Sequence, residues 1–254
     1  MKLDFTLDKG NETKVYLGLI VLQADETLEN EFRHAIRDFD ISLFHSRIPS
    51  RPSVTKETLA QMAADLPAAA NLLPQSTRFN AIAYACTSGA TVIGPSEVAV
   101  KIHTQHPGVP VTDPITAVMT ACRTLEIKRL GFLTPYVPAV SNSMQTLLEE
   151  NGFDIASFGS FEQDQEKVVS RISEASTLEA IVNVGKEKGC EGVFVSCTNL
   201  RTLGILEEAE QALGKPVVSS NLALIWHMLR LAGVKGRGTA PGKLFAKDLS
   251  PSLR

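Results

Sequence analysis

The chain has 254 residues, a formal net charge of −3 and a hydrophobic fraction of 44%. That length can form one large domain or two lobes, each with its own core. The net charge is slightly negative, whereas nucleic-acid-binding proteins are typically basic. No apolar run reaches the roughly 20 residues that are needed to span a bilayer. The start, MKLDFTLDKGNETK, is polar and acidic, so we expect no signal peptide and a cytoplasmic protein.

Eight short apolar runs along the chain are typical of buried strands. Their residues do not alternate strictly between polar and apolar, which indicates burial on both faces, as in parallel sheets. The runs lie at residues 15–22, 41–44, 81–85, 109–112, 130–134, 155–158, 192–196 and 216–219.

Helical patterns fill the intervals between these runs. Thr55 is a candidate N-cap for one of them. Residues 140–150, 178–188 and 203–213 each run up to a glycine within two positions, which is typical of a helix end. Alternating strands and helices predict an α/β fold, doubly wound with right-handed crossovers.

The two halves of the chain repeat each other. LGLI at 17–20 recurs as LGFL at 130–133, and FDI at 39–41 recurs at 153–155. We therefore predict an internal duplication, with an N-terminal lobe over 1–126 and a C-terminal lobe over 127–254. Each lobe is predicted to hold a mainly parallel sheet of about four strands flanked by helices, with the C-terminal tail packing across the lobes.

A Cys-Thr pair ends a predicted strand in each half, at 86–87 and at 197–198. In two similar halves the thiols of Cys86 and Cys197 can face one another across one cleft. Two opposed thiols suit moving a proton from one face of a carbon to the other. For one such residue alone a buried structural cysteine is the alternative, and this is our interpretation of Cys122 and Cys190. The cysteine and histidine spacings match no metal motif, so we predict no metal site.

Polar residues beside the two thiols follow the ends of predicted strands, where open parallel sheets bind ligands. Thr87 and Ser88 supply hydroxyl donors, and a helix beginning there aims backbone N–H groups at a substrate carboxylate. The same helix start is expected to lower the pKa of the Cys86 thiol. Thr198 and Asn199 repeat the arrangement after Cys197.

Two further candidates follow the matching strands of the two halves. Asp25 comes after the first strand and is either a cleft residue or part of an acidic helix start. Tyr136 comes after the fifth strand and either donates to a substrate carboxylate or covers a helix end.

Together these motifs resemble the aspartate/glutamate racemase superfamily, and most closely its maleate cis–trans isomerase and arylmalonate decarboxylase group. The resemblance spans nearly the whole chain and is carried by GLIV at 18–21, CTSG at 86–89, PY at 135–136 and CTN at 197–199. Within that group, QADET at 23–27 and SCTNLRT at 196–202 are similar to an ectoine-utilisation branch.

This resemblance implies two pseudo-symmetric lobes with the active site between them, no cofactor and a homo-oligomer. Cys86 and Cys197 match the paired catalytic cysteines of the superfamily. The implied substrate-binding positions are Thr87, Ser88, Tyr136, Thr198 and Asn199, with Gln165 near an amide of the family.

Departures from the family pattern narrow the expected reaction. Arylmalonate decarboxylases lack the first cysteine, glutamate racemases carry Cys-Asn-Thr there, and maleate isomerases carry an asparagine in place of Asp25. A carboxylate at that position repels a dianion by roughly 4 kcal/mol when the charges lie about 4 Å apart at an effective dielectric near 20. A zwitterion with a cationic group is attracted instead.

We therefore expect a cofactor-independent isomerase or racemase of a small, zwitterionic, ectoine-like carboxylate. The alternatives are a maleate cis–trans isomerase, an arylmalonate-type decarboxylase and a non-catalytic small-molecule binding protein. The sequence does not choose between proton transfer at one carbon and covalent addition to an alkene.

Overall fold

Two four-stranded parallel sheets form the framework of the computed structural model, which describes residues 1–7, 14–51, 53–236, 238 and 240–249. The first sheet has the order β2-β1-β3-β4 and the second the order β6-β5-β7-β8. The strands are β1 (Val15–Leu22), β2 (Ile41–Ile48), β3 (Ala81–Ala85), β4 (Val111–Thr112), β5 (Arg129–Tyr136), β6 (Asp154–Gln163), β7 (Gly192–Val195) and β8 (Val217–Ser219).

The repeated strand order confirms the predicted pair of parallel sheets flanked by helices. Strands β2 and β6 are longer than their apolar runs at 41–44 and 155–158 indicated. Both are edge strands, and most of their residues are only half-buried. Polar residues can therefore extend an edge strand beyond its apolar run. The prediction placed these ends too early because it followed apolar residues alone.

Ten helices lie between and after the strands in the described part of the chain. They are α1 (Leu28–Ile36), α2 (Lys56–Asn71), α3 (Thr87–Ile93), α4 (Pro95–His103), α5 (Pro114–Thr124), α6 (Pro138–Glu150), α7 (Glu166–Val169), α8 (Glu174–Gly185), α9 (Leu206–Leu213) and α10 (Ser220–Leu231). Single 3₁₀ turns occur at Leu203–Ile205 and Leu244–Ala246. None of the described helices is both long and apolar enough to cross a membrane.

Capping side chains and glycines set several helix ends. The Thr55 hydroxyl accepts the Thr58 N–H at 3.2 Å, so the predicted N-cap of α2 is confirmed. Helix α9 ends at Gly214, whose φ of 68° is in the left-handed region that glycine adopts without strain. Helix α8 ends at Gly185, three residues before the predicted end, and a turn covers the difference up to Gly189.

Side chains and helices join the two halves of the chain. Helices α5 and α10 pack against each other, and α10 also packs on β3 of the first sheet. The carboxylate of Glu31 on α1 accepts the N–H groups of Thr202 and Leu203 at 2.7 and 2.8 Å. The predicted lobe boundary at 126–127 falls in the turn between α5 and β5. Residues of the tail contact both halves: Phe245 O accepts from Arg230 on α10 at 2.9 Å, and Gly238 lies against the Phe39 ring.

Candidate active site

The thiols of Cys86 and Cys197 lie at the carboxyl ends of β3 and β7, the corresponding strands of the two sheets. They are 6% and 3% exposed. Cys86 is the N-cap of α3, and its Sγ accepts the Gly89 N–H at 3.2 Å. Cys197 lies in a turn with a φ of 103°, a backbone conformation that is strained for a residue other than glycine, and its Sγ accepts the Asn199 N–H at 3.3 Å.

Three hydrogen bonds hold the surroundings of the two thiols together. The Thr87 and Ser220 hydroxyls lie 2.8 Å apart, and Ser220 Oγ accepts the Cys197 N–H at 3.1 Å. On the other side, the Thr198 hydroxyl donates to Ala85 O at 3.4 Å. Since these bonds join residues adjacent to Cys86 with residues adjacent to Cys197, the two thiols share one buried centre.

A phenol and a carboxylate complete the second half of this centre. The Tyr136 hydroxyl donates to Glu166 Oε1 at 2.7 Å and lies 3.0 Å from Cys197 Sγ. The second oxygen, Glu166 Oε2, accepts from Asn199 Nδ2 at 3.0 Å. Burial raises the pKa of Tyr136 well above its usual range, and the charges of Cys197, Glu166 and Cys86 raise it further.

Asp25 lies in the turn between β1 and α1 and is 5% exposed. Its Oδ1 accepts the N–H groups of Thr27 and Leu28, each at 2.9 Å, as expected of a residue at a helix start. Its Oδ2 is buried without a hydrogen-bond partner among the described residues. Burial raises the pKa of Asp25 to about 6, against the opposing effect of the Leu28 and Thr27 N–H groups. The Thr198 hydroxyl acts in the same direction as these N–H groups, so one oxygen caps the helix and the other makes no hydrogen bond of normal length to a described residue.

Ser88 carries a second buried polar atom without a partner. Its Oγ makes no hydrogen bond to a described residue, and the side chain is 2% exposed. A hydroxyl donates one hydrogen bond, whereas a carboxylate oxygen accepts. The centre therefore holds one donor, Ser88 Oγ, and one acceptor, Asp25 Oδ2, that the described protein groups leave unused.

The helix start does lower the pKa of Cys86, through the Gly89 N–H, but the net shift is in the opposite direction. Burial raises the pKa of Cys86 to about 12, which outweighs the Gly89 N–H, and the Glu166 carboxylate raises it further. Burial likewise raises the pKa of Cys197 well above its usual range, with Glu166 acting in the same direction. At neutral pH the free centre therefore holds two protonated thiols.

Most of the predicted site residues come together in this centre. Gln165 does not: its side chain is exposed, and its backbone forms an isolated bridge with Ser53. The next residue, Glu166, takes the place that the prediction gave to Gln165. Those that do come together are Asp25, Cys86, Thr87, Ser88, Tyr136, Cys197, Thr198 and Asn199.

Asn199 has a use that the sequence did not indicate. Its Oδ1 accepts the Glu26 N–H at 2.9 Å, and its Nδ2 donates to Ala24 O at 3.3 Å as well as to Glu166. The amide therefore ties the loop after β1 to α7, and a substrate carboxylate has to displace one of these bonds to reach it. The described residues contain no cluster of three or more His, Cys, Asp or Glu side chains suited to a metal ion.

A cleft of about 530 Å³ adjoins the centre on the side where Asn199 is hydrogen-bonded to the loop after β1. Thr27 lines the cleft and also donates from its hydroxyl to Asn199 O at 3.0 Å. An ion pair of 2.8 Å joins Glu26, on the wall of the cleft, to Arg171 beyond α7. The cleft is therefore linked to the centre through Glu26 and Thr27, both of which are hydrogen-bonded to Asn199.

The fold defines a class of α/β proteins that includes solved isomerase structures. One is the Nocardia farcinica maleate cis–trans isomerase, solved as a mutant with a covalently bound succinylcysteine intermediate. It superimposes with a TM-score of 0.82 at 22% sequence identity, over 91% of this chain and 98% of that one. At this level of identity the likeness establishes the shared fold.

The family follows from the sequence. The family model for arylmalonate decarboxylase matches residues 53–245, well over half of the chain, and the chain belongs to this family. The arylmalonate decarboxylase of Bordetella bronchiseptica is 31% identical over 136 residues, which are 53% of this chain and 56% of that relative. The maleate isomerase of Nocardia farcinica is 25% identical over 244 residues, or 91% of this chain and 96% of the relative. The predicted resemblance to this group is confirmed, and its characterised members are enzymes.

Proposed function

We propose that this protein is a cofactor-independent isomerase or racemase that acts on a small zwitterionic carboxylate with the thiols of Cys86 and Cys197. The observation that supports this most is the enclosure of two thiols, one from each half of the chain, in one buried centre. A single structural cysteine needs neither the second thiol nor the phenol beside it.

Two thiols perform either of two reactions without a cofactor. In racemisation, one thiolate removes the proton next to the carboxylate, and the other thiol protonates the opposite face of the carbon. In cis–trans isomerisation, one thiolate adds to an alkene carbon, the resulting single bond rotates, and elimination of the thiolate restores the double bond. A related isomerase that has been solved with a covalently bound succinylcysteine intermediate supports the second route.

The charges around the thiols favour a substrate with a cationic group. Asp25 and Glu166 are both buried, and the structure records no ion pair between either carboxylate and a described Lys or Arg. An ammonium or amidinium group beside Asp25 Oδ2 compensates this charge and also lowers the cost of forming a thiolate nearby. Ser88 Oγ and the N–H groups at the start of α3 suit the substrate carboxylate.

An ectoine-like molecule fits this description because it combines an amidinium with a carboxylate on a small ring. The similarity of the chain to an ectoine-utilisation branch at 23–27 and 196–202 points the same way. Maleate isomerisation is the second candidate, favoured by relatives that align over 91% of the chain. Against it, two buried carboxylates repel a dianion, at roughly 4 kcal/mol for each charge pair about 4 Å apart at a dielectric near 20.

Screening candidate substrates tests the proposal. Ectoine, hydroxyectoine, N-acetyl-diaminobutyrates, aspartate and maleate are each incubated with the protein and followed by optical rotation and proton NMR. Turnover of a zwitterion, absent in Cys86→Ser and Cys197→Ser, supports the proposal. Turnover of maleate alone establishes the second candidate. An arylmalonate is included in the same screen, and release of carbon dioxide from it that persists in Cys86→Ser but is lost in Cys197→Ser identifies decarboxylation instead. A ligand that binds unchanged, with neither thiol needed, identifies a binding protein.

A further inference from the structure

We propose that Glu166 is the proton acceptor of a relay that runs from Cys197 through Tyr136, so that the two thiols of the centre differ in function. The catalytic meaning of this relay rests on the proposed two-thiol reaction. Its existence does not, because it depends only on hydrogen bonds of the free protein. The relay requires only that Tyr136 contacts both Cys197 and Glu166, and it does.

The direction of the hydrogen bonds follows from the number of protons. A phenol has one proton, and Tyr136 donates it to Glu166 Oε1 at 2.7 Å. The remaining contact of the phenol oxygen, 3.0 Å to Cys197 Sγ, must then receive its proton from the thiol. Asn199 Nδ2 holds Glu166 Oε2 at 3.0 Å, which keeps Oε1 directed at the phenol.

Proton transfer along this chain balances without any further reactant. The S–H bond of Cys197 breaks as its proton moves to the Tyr136 oxygen, while the Tyr136 O–H bond breaks as that proton moves to Glu166. The products are a thiolate, an intact phenol and a carboxylic acid, so the net charge of the centre stays at its initial value. Deprotonating Cys197 to solvent would instead add one more negative charge to a buried site that already holds two carboxylates.

The first half of the centre has no equivalent chain. Its phenol, Tyr84, lies in β3 and donates to Met62 Sδ at 3.0 Å, which is a weak acceptor and not a base. Cys86 Sγ accepts the Gly89 N–H and lies at the start of α3. The ionisable groups facing the two thiols are thus Asp25 from the β1 turn, Glu166 from α7 and the two phenols. Of these, only Glu166 is hydrogen-bonded to a phenol that contacts a thiol.

Alkylation of the free protein tests the relay. The wild type, Glu166→Gln and Tyr136→Phe are treated with iodoacetamide at neutral pH, and peptide mass spectrometry follows Cys86 and Cys197 separately. We expect the Cys197 rate to fall about tenfold or more in both variants, because the thiolate is the reacting form, while the Cys86 rate changes less than about threefold. Glu162→Gln, which removes the same charge at an exposed position, should leave both rates unchanged.

Faster alkylation of Cys197 in Glu166→Gln would have an electrostatic cause. The charge of Glu166 raises the pKa of Cys197, so the loss of that charge alone makes Cys197 more reactive. Equal or faster alkylation of Cys197 in Glu166→Gln therefore overturns the relay, as does equal slowing of both thiols, which indicates changed access. The proposed function is judged separately, by whether a zwitterionic substrate protects the wild-type thiols from alkylation.

Discussion

The Cys86 and Cys197 sites are copies of one motif that differ in what surrounds the sulfur. Each thiol follows a central strand, precedes a threonine and accepts a backbone N–H at 3.2 or 3.3 Å. Cys86 caps a helix, whereas Cys197 lies in a turn at a φ of 103° and contacts a phenol that is bonded to a carboxylate. The repeated strand order of the two sheets therefore brings two thiols into one centre. Because the groups next to the two sulfurs differ, the two thiols can have different roles in the reaction.

The largest expected effect comes from removing either thiol. Cys86→Ser and Cys197→Ser keep the side-chain shape but raise the pKa of the group by several units. We expect each single variant to lose at least about 10³-fold in turnover, equivalent to about 4 kcal/mol, while substrate binding persists. Steady-state kinetics and calorimetric titration measure the two effects.

The double variant tests whether the two thiols act as a pair. Residues that act as a unit are not additive, so Cys86→Ser/Cys197→Ser should be little slower than either single variant. For a racemisation run in deuterium oxide, each single variant should exchange the proton of only the enantiomer that its remaining thiol faces. Full turnover by either single variant would exclude the paired mechanism.

The chemistry of the site was less predictable than the fold, and for a local reason. The apolar runs and the repeated LGLI and FDI anchors predicted all eight strands because burial on both faces leaves a clear pattern in sequence. Glu166 was missed because it begins a four-residue helix after an edge strand, where no periodicity separates it from Gln165. The raised thiol pKa values were missed because they depend on how completely other segments cover each sulfur.

Asp25 gives the second largest effect, through the dependence of stability on pH. Its pKa is about 6 in the folded protein, above the usual 3.8, so the folded state binds more protons between these values. Stability from this group is therefore full at low pH and is lost as pH rises to about 6, by up to about 3 kcal/mol. Asp25→Asn should lack this loss, and chemical denaturation from about pH 4 to 7 measures the difference in slope.

The same substitution tests the cationic subsite. Asp25→Asn should weaken a zwitterionic substrate by about 1–3 kcal/mol and should relieve repulsion toward a dianion such as maleate. Asp38→Asn, at an exposed position, serves as the control for the charge change. If Asp25→Asn leaves the kinetics of both substrate types and the pH slope unchanged, Asp25 has no part in the site.

Gly89 offers a perturbation confined to the first half. A Cβ at this position would meet the Tyr84 hydroxyl and lie 3.0 Å from Cys86 Sγ. Gly89→Ala should therefore cost about 1–3 kcal/mol of stability from overpacking and should alter the alkylation rate of Cys86. The rate at Cys197 should stay within about twofold, because Gly89 contacts Cys86 Sγ whereas Cys197 Sγ accepts its N–H from Asn199. Equal changes at both thiols would show that the two surroundings are mechanically coupled.

The smallest expected effect concerns access to both thiols rather than the difference between them. Arg171 and Glu26 form an ion pair of 2.8 Å beside the cleft, but their side chains are 71% and 49% exposed. Such a pair is worth at most about 1 kcal/mol, so Arg171→Ala should raise alkylation of both thiols by less than about fivefold. Added salt should have a similar effect on the wild type, and Glu26→Gln should add nothing to Arg171→Ala. A rise of about tenfold or more, shared by both thiols, would instead mean that this contact controls opening of the centre.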